Sequence, residues 1–160
     1  MTDFSDLSSL WMKWASLAQI PGASAVTDPI DCVARFISDD QSFNLREDGT
    51  WWILDEVDDR GKEYVDTARF STFNLAEKYL MWRWASFARS ALGLPALGPQ
   101  LYKQGYSGDV VVSPTNDEWR TSVTDSTGSA ILPQPDSTIF SHLMSKSMDE
   151  IDRFVGQGFT

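Results

Sequence analysis

The chain has 160 residues, 42% of them hydrophobic, and a formal net charge of −10. A length of 160 residues fits one domain, 1–160, able to bury about 68–70% of its unfolded surface, and seven Trp with nine Phe exclude disorder throughout. The acidity argues against nucleic acid, since phosphate binding needs clustered Lys and Arg; it suits a basic protein partner, and equally a charge that serves only solubility.

Cys32 is the single cysteine, so no internal disulfide forms and a reducing cytoplasm is the expected location. The first residues, MTDFSDLSSLWMKWASLAQ, lack a basic region followed by an uninterrupted apolar one, so no signal peptide is read. No apolar run approaches the roughly 20 residues that span a membrane.

Residues 3–18 read as an amphipathic helix, capped by Asp3 or Ser5, with Leu7, Leu10, Trp11, Trp14, Leu17 and Ala18 on its apolar face. Pro21 and Gly22 end it, and residues 22–29 read as a loop. From Ile30 to Phe70 the period becomes strand-like. Ile30, Cys32, Ala34 and Phe36 alternate with Asp31, Val33 and Arg35; SFNLR and WWILDEV follow, separated by the turn Glu47-Asp48-Gly49-Thr50. Asp58-Asp59-Arg60-Gly61 is a second turn, and KEYVDTARF returns with Tyr64, Asp66, Ala68 and Phe70 on one side. Short strands between Asp/Gly turns predict an antiparallel meander.

The meander also carries the charge. Residues 39–66 hold ten acids against three bases. The run DEVDD lacks the ligand spacing of a calcium loop; it reads as a solvated turn, or as an acidic docking patch.

Residues 71–95 predict the central helix. Ser71 or Thr72 can cap it, Phe73, Ala76, Leu80, Trp84, Phe87 and Ala91 share a face, and Tyr79, Trp82 and Ala88 widen that face. Gly93 suits a left-handed cap and Pro95 forbids continuation. Aromatics at this spacing read as core rather than as a ligand-stacking Trp82/Trp84 pair, and Arg89 as a helix C-terminal cap rather than an anion site. Residues 96–109 read as an irregular connector, VVVS and EWRTSVT as a hairpin, and SAIL as one more strand. Asp136 or Ser137 can cap a short helix over Ile139, Phe140, Leu143 and Met144, although STIFSHLMS also reads as a strand. Ser147 and Glu150 match a capping box before Ile151, Phe154 and Val155. The fold class is therefore α+β: an antiparallel sheet of about six or seven short strands on a long central helix, with further N- and C-terminal helices.

No phosphate-binding glycine loop, nucleophile elbow or zinc-protease motif is present. One Cys and one His cannot make a four-ligand zinc site. Cys32 and His142 could pair as nucleophile and base, but nothing in the flanking residues favours it; Cys32 reads as a small core residue.

Two stretches resemble a known family. NLAEKYLMWRWASFARSALGLPAL (74–97) is similar to a segment in which an Ala-Glu-Lys-Tyr-Leu helix leads to Arg and then Gly-Leu-Pro. IFSHLMSKSMDEIDRFV (139–155) resembles its Ser-His-x-x-Ser-x-Ser-x-Asp-Glu-Ile ending, and Gly105-Tyr106 falls where Gly-Tyr or Gly-Phe follows the connector. The family is the polymorphic-toxin immunity group numbered sixty-one, which includes the immunity factor for the tuberculosis necrotizing toxin. The N-terminal third departs from that pattern, keeping only a loose helix-then-strands layout, and the usual Asp-Gly extension is shortened to GQGFT.

The resemblance implies a cytoplasmic antitoxin with no chemistry, cofactor or metal of its own. It would bind a cognate toxin's catalytic domain 1:1 and block its active site; for the named relative, that toxin consumes NAD by hydrolysis. Charge and guessed exposure nominate Asp55, Glu56, Asp58 and Asp59 with Trp51 or Trp52 as toxin contacts, and Trp119 and Arg120 on the later hairpin as a second option. The competing readings are a chaperone or adaptor of a secreted effector, and a small hydrolase using carboxylates or Cys32/His142.

Overall fold

A computed structural model describes residues 2–31 and 33–159; the readings placed on Cys32 lie outside the described residues. Helix α1 (Ser5–Leu17) leads into a five-strand meander, β1 (Ser24–Asp28), β2 (Val33–Ile37), β3 (Ser42–Asp48), β4 (Trp51–Val57) and β5 (Glu63–Phe70). The long helix α2 (Phe73–Ala91) and the short α3 (Gly98–Lys103) follow. Three more strands, β6 (Val111–Pro114), β7 (Arg120–Asp125) and β8 (Gly128–Pro133), precede α4 (Asp136–Ser141) and α5 (Met148–Val155). The fold is α+β, with an eight-stranded antiparallel sheet rather than six or seven strands, in the order β1-β2-β3-β4-β5-β8-β7-β6. The later strands do not form a separate hairpin: β8 joins β5 through Arg69↔Ile131 and Phe70↔Ala130. Among the described residues no helix is long and apolar enough to cross a membrane.

Helix α2 organises the packing. Thr72 is its N-cap, with the Leu75 N–H donating to Thr72 Oγ1 at 3.1 Å. At the other end Gly93 takes φ 70°, the Leu94 N–H reaches Arg89 O at 2.8 Å and the Gly93 N–H reaches Ser90 O at 3.2 Å; this paired closure satisfies two otherwise orphaned carbonyls. Eleven of its residues are buried, among them Trp82 and Trp84, so both indoles are core. Trp84 sits 4.9 Å from Phe36, 5.2 Å from Trp11 and 6.1 Å from Phe43, ring centre to ring centre, the separations at which tilted aromatic pairs attract. Ala91, expected on the same face, is exposed.

Arg89 is buried and, contrary to expectation, its side chain donates to carbonyls outside its own helix rather than capping it. Its Nε donates to Pro95 O at 2.9 Å, and its Nη1 to Val155 O at 2.9 Å and Gln157 O at 2.5 Å. One guanidinium thus pins the Gly-Leu-Pro connector and the end of α5 to α2. The α5 capping box forms as expected, Ser147 and Glu150 each accepting from the other's backbone N–H.

Several expectations are corrected. The loop over 22–29 contains the edge strand β1, and the connector contains α3. Neither Asp3 nor Ser5 is the α1 N-cap; that place falls to Phe4 without a side-chain cap bond, and Asp3 Oδ1 instead accepts from the Ser5 N–H at 2.9 Å. The short helix expected here does form, over Asp136–Ser141, but Pro135 rather than Asp136 or Ser137 takes its N-cap place. Ile30, read on the same side of a strand as Ala34 and Phe36, lies before β2 and is 81% exposed. Asp66, read as an ordinary strand residue, has φ 58° beside a register shift between β4 and β5, a β-bulge.

Candidate functional site

Two concavities meet at one ridge, formed by Gln41 and Asp58. The first, of about 410 Å3, opens where α1 and α2 end, with Trp11, Phe43 and Phe87 as its apolar floor and Asp40, Asp58 and Asp59 on its rim. The second, of about 300 Å3, lies where β5 is unpaired with β8 and is lined by Gln41, Glu56, Asp58, Tyr64, Thr67, Trp119 and Pro133. Residues at the C-terminal ends of both helices line the first cavity, Ala18 and Ile20 after α1 and Ser90 and Ala91 of α2.

The ridge is built by its own turn. Asp58 Oδ1 accepts the backbone N–H groups of Arg60 and Lys62, both at 2.9 Å, and Gly61 supplies φ 81°. The side chain of an Asp at this position mimics a backbone turn. Asp59, carried at the tip, is exposed.

The structure sorts the eight nominated contacts. Trp52 is 6% exposed and packs on Phe4 and Phe73 at 6.1 and 5.1 Å, so it is core. Asp55 is buried, accepting from Arg46 Nε at 2.8 Å and from the Asp66 N–H at 2.7 Å. Arg120 is buried too, donating to Asp66 and Asp117. These three residues, nominated on guessed exposure, hold the fold from inside. Trp51 is half-buried and pairs with Asp48 at the opposite end of β4 from the ridge. Glu56 is clamped by Arg83 Nη2 at 2.7 Å and Gln41 Nε2 at 2.9 Å, with its edge on the second cavity. Trp119 is 55% exposed. The acidic turn and the later hairpin, nominated as alternatives, meet: Glu56, Asp58 and Trp119 line one cleft. Sequence reasoning missed Tyr64, whose exposure after an acidic turn was its signal, and Gln41, which had none.

The electrostatics fix these positions. Burial alone would raise the Asp66 carboxyl, but hydrogen bonds and charge from Arg69 and Arg120 hold it below the usual carboxylate range. Burial chiefly pushes the Tyr79 phenol up, while its hydroxyl donates to Asp136 Oδ2 at 2.7 Å. Burial also works against the Arg83 cation, yet Tyr79 and Glu56 keep it firmly protonated. Arg83 Nη1 donates to Tyr79 Oη at 3.0 Å, so a continuous polar chain runs from Gln41 through Glu56, Arg83 and Tyr79 to Asp136.

His142 Nε2 donates to Gly105 O at 2.7 Å and so ties α4 to the connector. Among the described residues no three His, Asp or Glu side chains gather in a way that could hold a metal ion.

The profile of the Immunity protein 61 family matches residues 14–155. The chain therefore belongs to that family of immunity proteins, which neutralise toxins by binding and are generally non-catalytic. Among solved structures it is similar to Rv3902c from M. tuberculosis, with a TM-score of 0.71 and 17% identity over 91% of this chain and 86% of that one; at that identity the likeness is one of fold. No curated protein matches the chain.

Proposed function

We propose that this protein binds the catalytic domain of a cognate toxin 1:1 in the cytoplasm and blocks its active site, and that the toxin is of the NAD-glycohydrolase type. The contact surface runs across the Gln41–Asp58 ridge, with Asp58, Asp59 and Trp119 at its centre and Glu56 beside them; Trp51, at the far end of β4, marks its outer limit. The observation that carries this reading is the meeting of acidic turn and exposed Trp119 at one cleft in a chain of net charge −10. A toxin cleft that binds nucleotide phosphates is positive, and an acidic surface is drawn to it electrostatically. An exposed indole gives such a contact an anchor.

The test is co-expression with the toxin domain, then an NAD-consumption assay with and without this protein. Co-purification with stoichiometric inhibition supports the reading. Co-purification with NAD consumption intact would make the protein a chaperone or adaptor, and inhibition of a toxin with other chemistry would remove the NAD assignment alone.

A further inference from the structure

The second cavity has features that a general acidic surface does not need. Two of its walls are aromatic: Trp119, 55% exposed, and Tyr64, 44% exposed. Each ring already carries a cation of this chain. The Arg120 guanidinium carbon lies 4.8 Å from the Trp119 ring centre, and Lys62 Nζ lies 5.0 Å from that of Tyr64, within the range at which a ring quadrupole attracts positive charge. Asp58 presents a carboxylate to the same space: Oδ1 is occupied by its turn, while Oδ2 takes among the described residues only a 3.5 Å contact from Tyr64 Oη. Gln41 and Pro133 close the sides. Arg120 is buried and tied to Asp66 and Asp117, whereas Lys62 is exposed and has no carboxylate within ion-pair distance among the described residues.

We infer that this cleft is a receptor for one basic side chain of the toxin, an arginine, seated between Trp119 and Tyr64 with its guanidinium on Asp58, and that Lys62 occupies the Tyr64 face until the toxin displaces it. A planar guanidinium is weakly hydrated and stacks on rings, which suits it to this cleft better than an ammonium. The inference rests on the immunity reading above and names the partner chemistry of that same surface.

Lys62 gives the test its sign. Its backbone N–H, not its side chain, makes the Asp58 turn, so Lys62→Ala leaves the turn intact and removes the competing cation. Toxin affinity is expected to rise severalfold in Lys62→Ala and to fall about tenfold in Trp119→Ala, with Trp119→Leu falling as well because its apolar bulk lacks a ring. Independently of any toxin, N-acetyl-arginine amide titrated into the free protein should move the NMR signals of the Trp119 indole and the Tyr64 ring, while the neutral N-acetyl-citrulline amide should not. Equal shifts from citrulline, or full affinity in Trp119→Ala and Tyr64→Ala with a complex that still forms and inhibits, would overturn the arginine seat and leave the immunity reading standing. Absence of any complex with wild-type protein would overturn both.

Discussion

Arg120 of β7 grips the one left-handed residue of β5: its Nη1 donates to Asp66 O at 3.1 Å and to Asp66 Oδ1 at 2.9 Å. A non-glycine residue in that conformation costs roughly 1–2 kcal/mol, and the local partners offset it. Asp55 takes the Asp66 N–H from β4, Arg69 holds the carboxylate from the same strand, and Arg120 holds both carbonyl and carboxylate. The bulge is thus secured across three strands, beside the cleft.

Arg120→Ala should therefore destabilise the protein by about 2–4 kcal/mol, because it leaves a largely buried carboxylate short of a partner. Arg120→Lys should recover only part of this, since an ammonium cannot hold Asp66 and Asp117 in one planar fork. Urea unfolding midpoints measure both; a loss under about 0.5 kcal/mol in Arg120→Ala would show that Arg69 and Asp55 suffice.

The Asp66 carboxyl is depressed in the folded state relative to an ordinary unfolded value of about 3.9. Its contribution is present above that unfolded value and is lost as pH falls through the folded one. Asp66→Asn, which tolerates the left-handed backbone, should thus be less stable than wild type at neutral pH, and the gap should narrow as the solution is acidified below pH about 4. A gap that stays constant into strong acid would remove ionisation as its cause.

Removing the Arg89 guanidinium leaves the carbonyls of Pro95, Val155 and Gln157 without their charged donor. Hydrogen bonds to charged groups contribute about 1.5–3 kcal/mol each, so Arg89→Met should cost at least about 3 kcal/mol. For a chain of this size that lowers Tm by roughly 6–12 °C, and hydrogen exchange should quicken first in α5. Faster exchange confined to α1 would contradict the assignment.

Gly93 and Gly128 should separate two costs of adding a methyl group. At Gly93 (φ 70°) a Cβ meets nothing within 4 Å, so Gly93→Ala incurs only the strain of a left-handed alanine, roughly 1–2 kcal/mol. At Gly128 (φ 143°) a Cβ would collide with Ser71 Oγ and come within 3.0 Å of Leu75 Cδ1, and Ser71 Oγ is also the acceptor for the Ser129 N–H at 2.8 Å. Gly128→Ala should cost at least twice as much in thermal unfolding, and equal costs would mean that Ser71 moves aside freely.

At the ridge, Asp58 builds the turn while Asp59 only decorates it. Asp59→Lys should leave Tm unchanged within error and lower the toxin association rate, with the difference fading as salt rises, as expected of exposed charge. An unchanged rate at low salt would remove Asp59 from the contact.

The sequence displayed most of what is set locally. The four strands β2 to β5, the α2 caps and the Ser147/Glu150 box follow from alternation, Gly and Pro placement and short spacing. The strand β1 was hidden because all but Ala25 of its residues are exposed, so it shows no alternation to read. The bulge at Asp66 is imposed by Asp55, eleven positions away, and by Arg120, fifty-four away; no window of a few residues holds that information. The same distance hid the burial of Asp55 and Arg120, and it hid the fact that Trp119 and Asp58 share one cleft.

Of the seven tryptophans, Trp119 is the most solvent-accessible, at 55%, while Trp11, Trp14, Trp52, Trp82 and Trp84 each lie at 6% or less. A collisional quencher such as acrylamide will reach the emission of Trp119 well before that of the five shielded indoles. The protein therefore carries its own optical gauge of the cleft: as a partner covers Trp119, the quenchable fraction of its intrinsic fluorescence shrinks, and occupancy can be followed without a label.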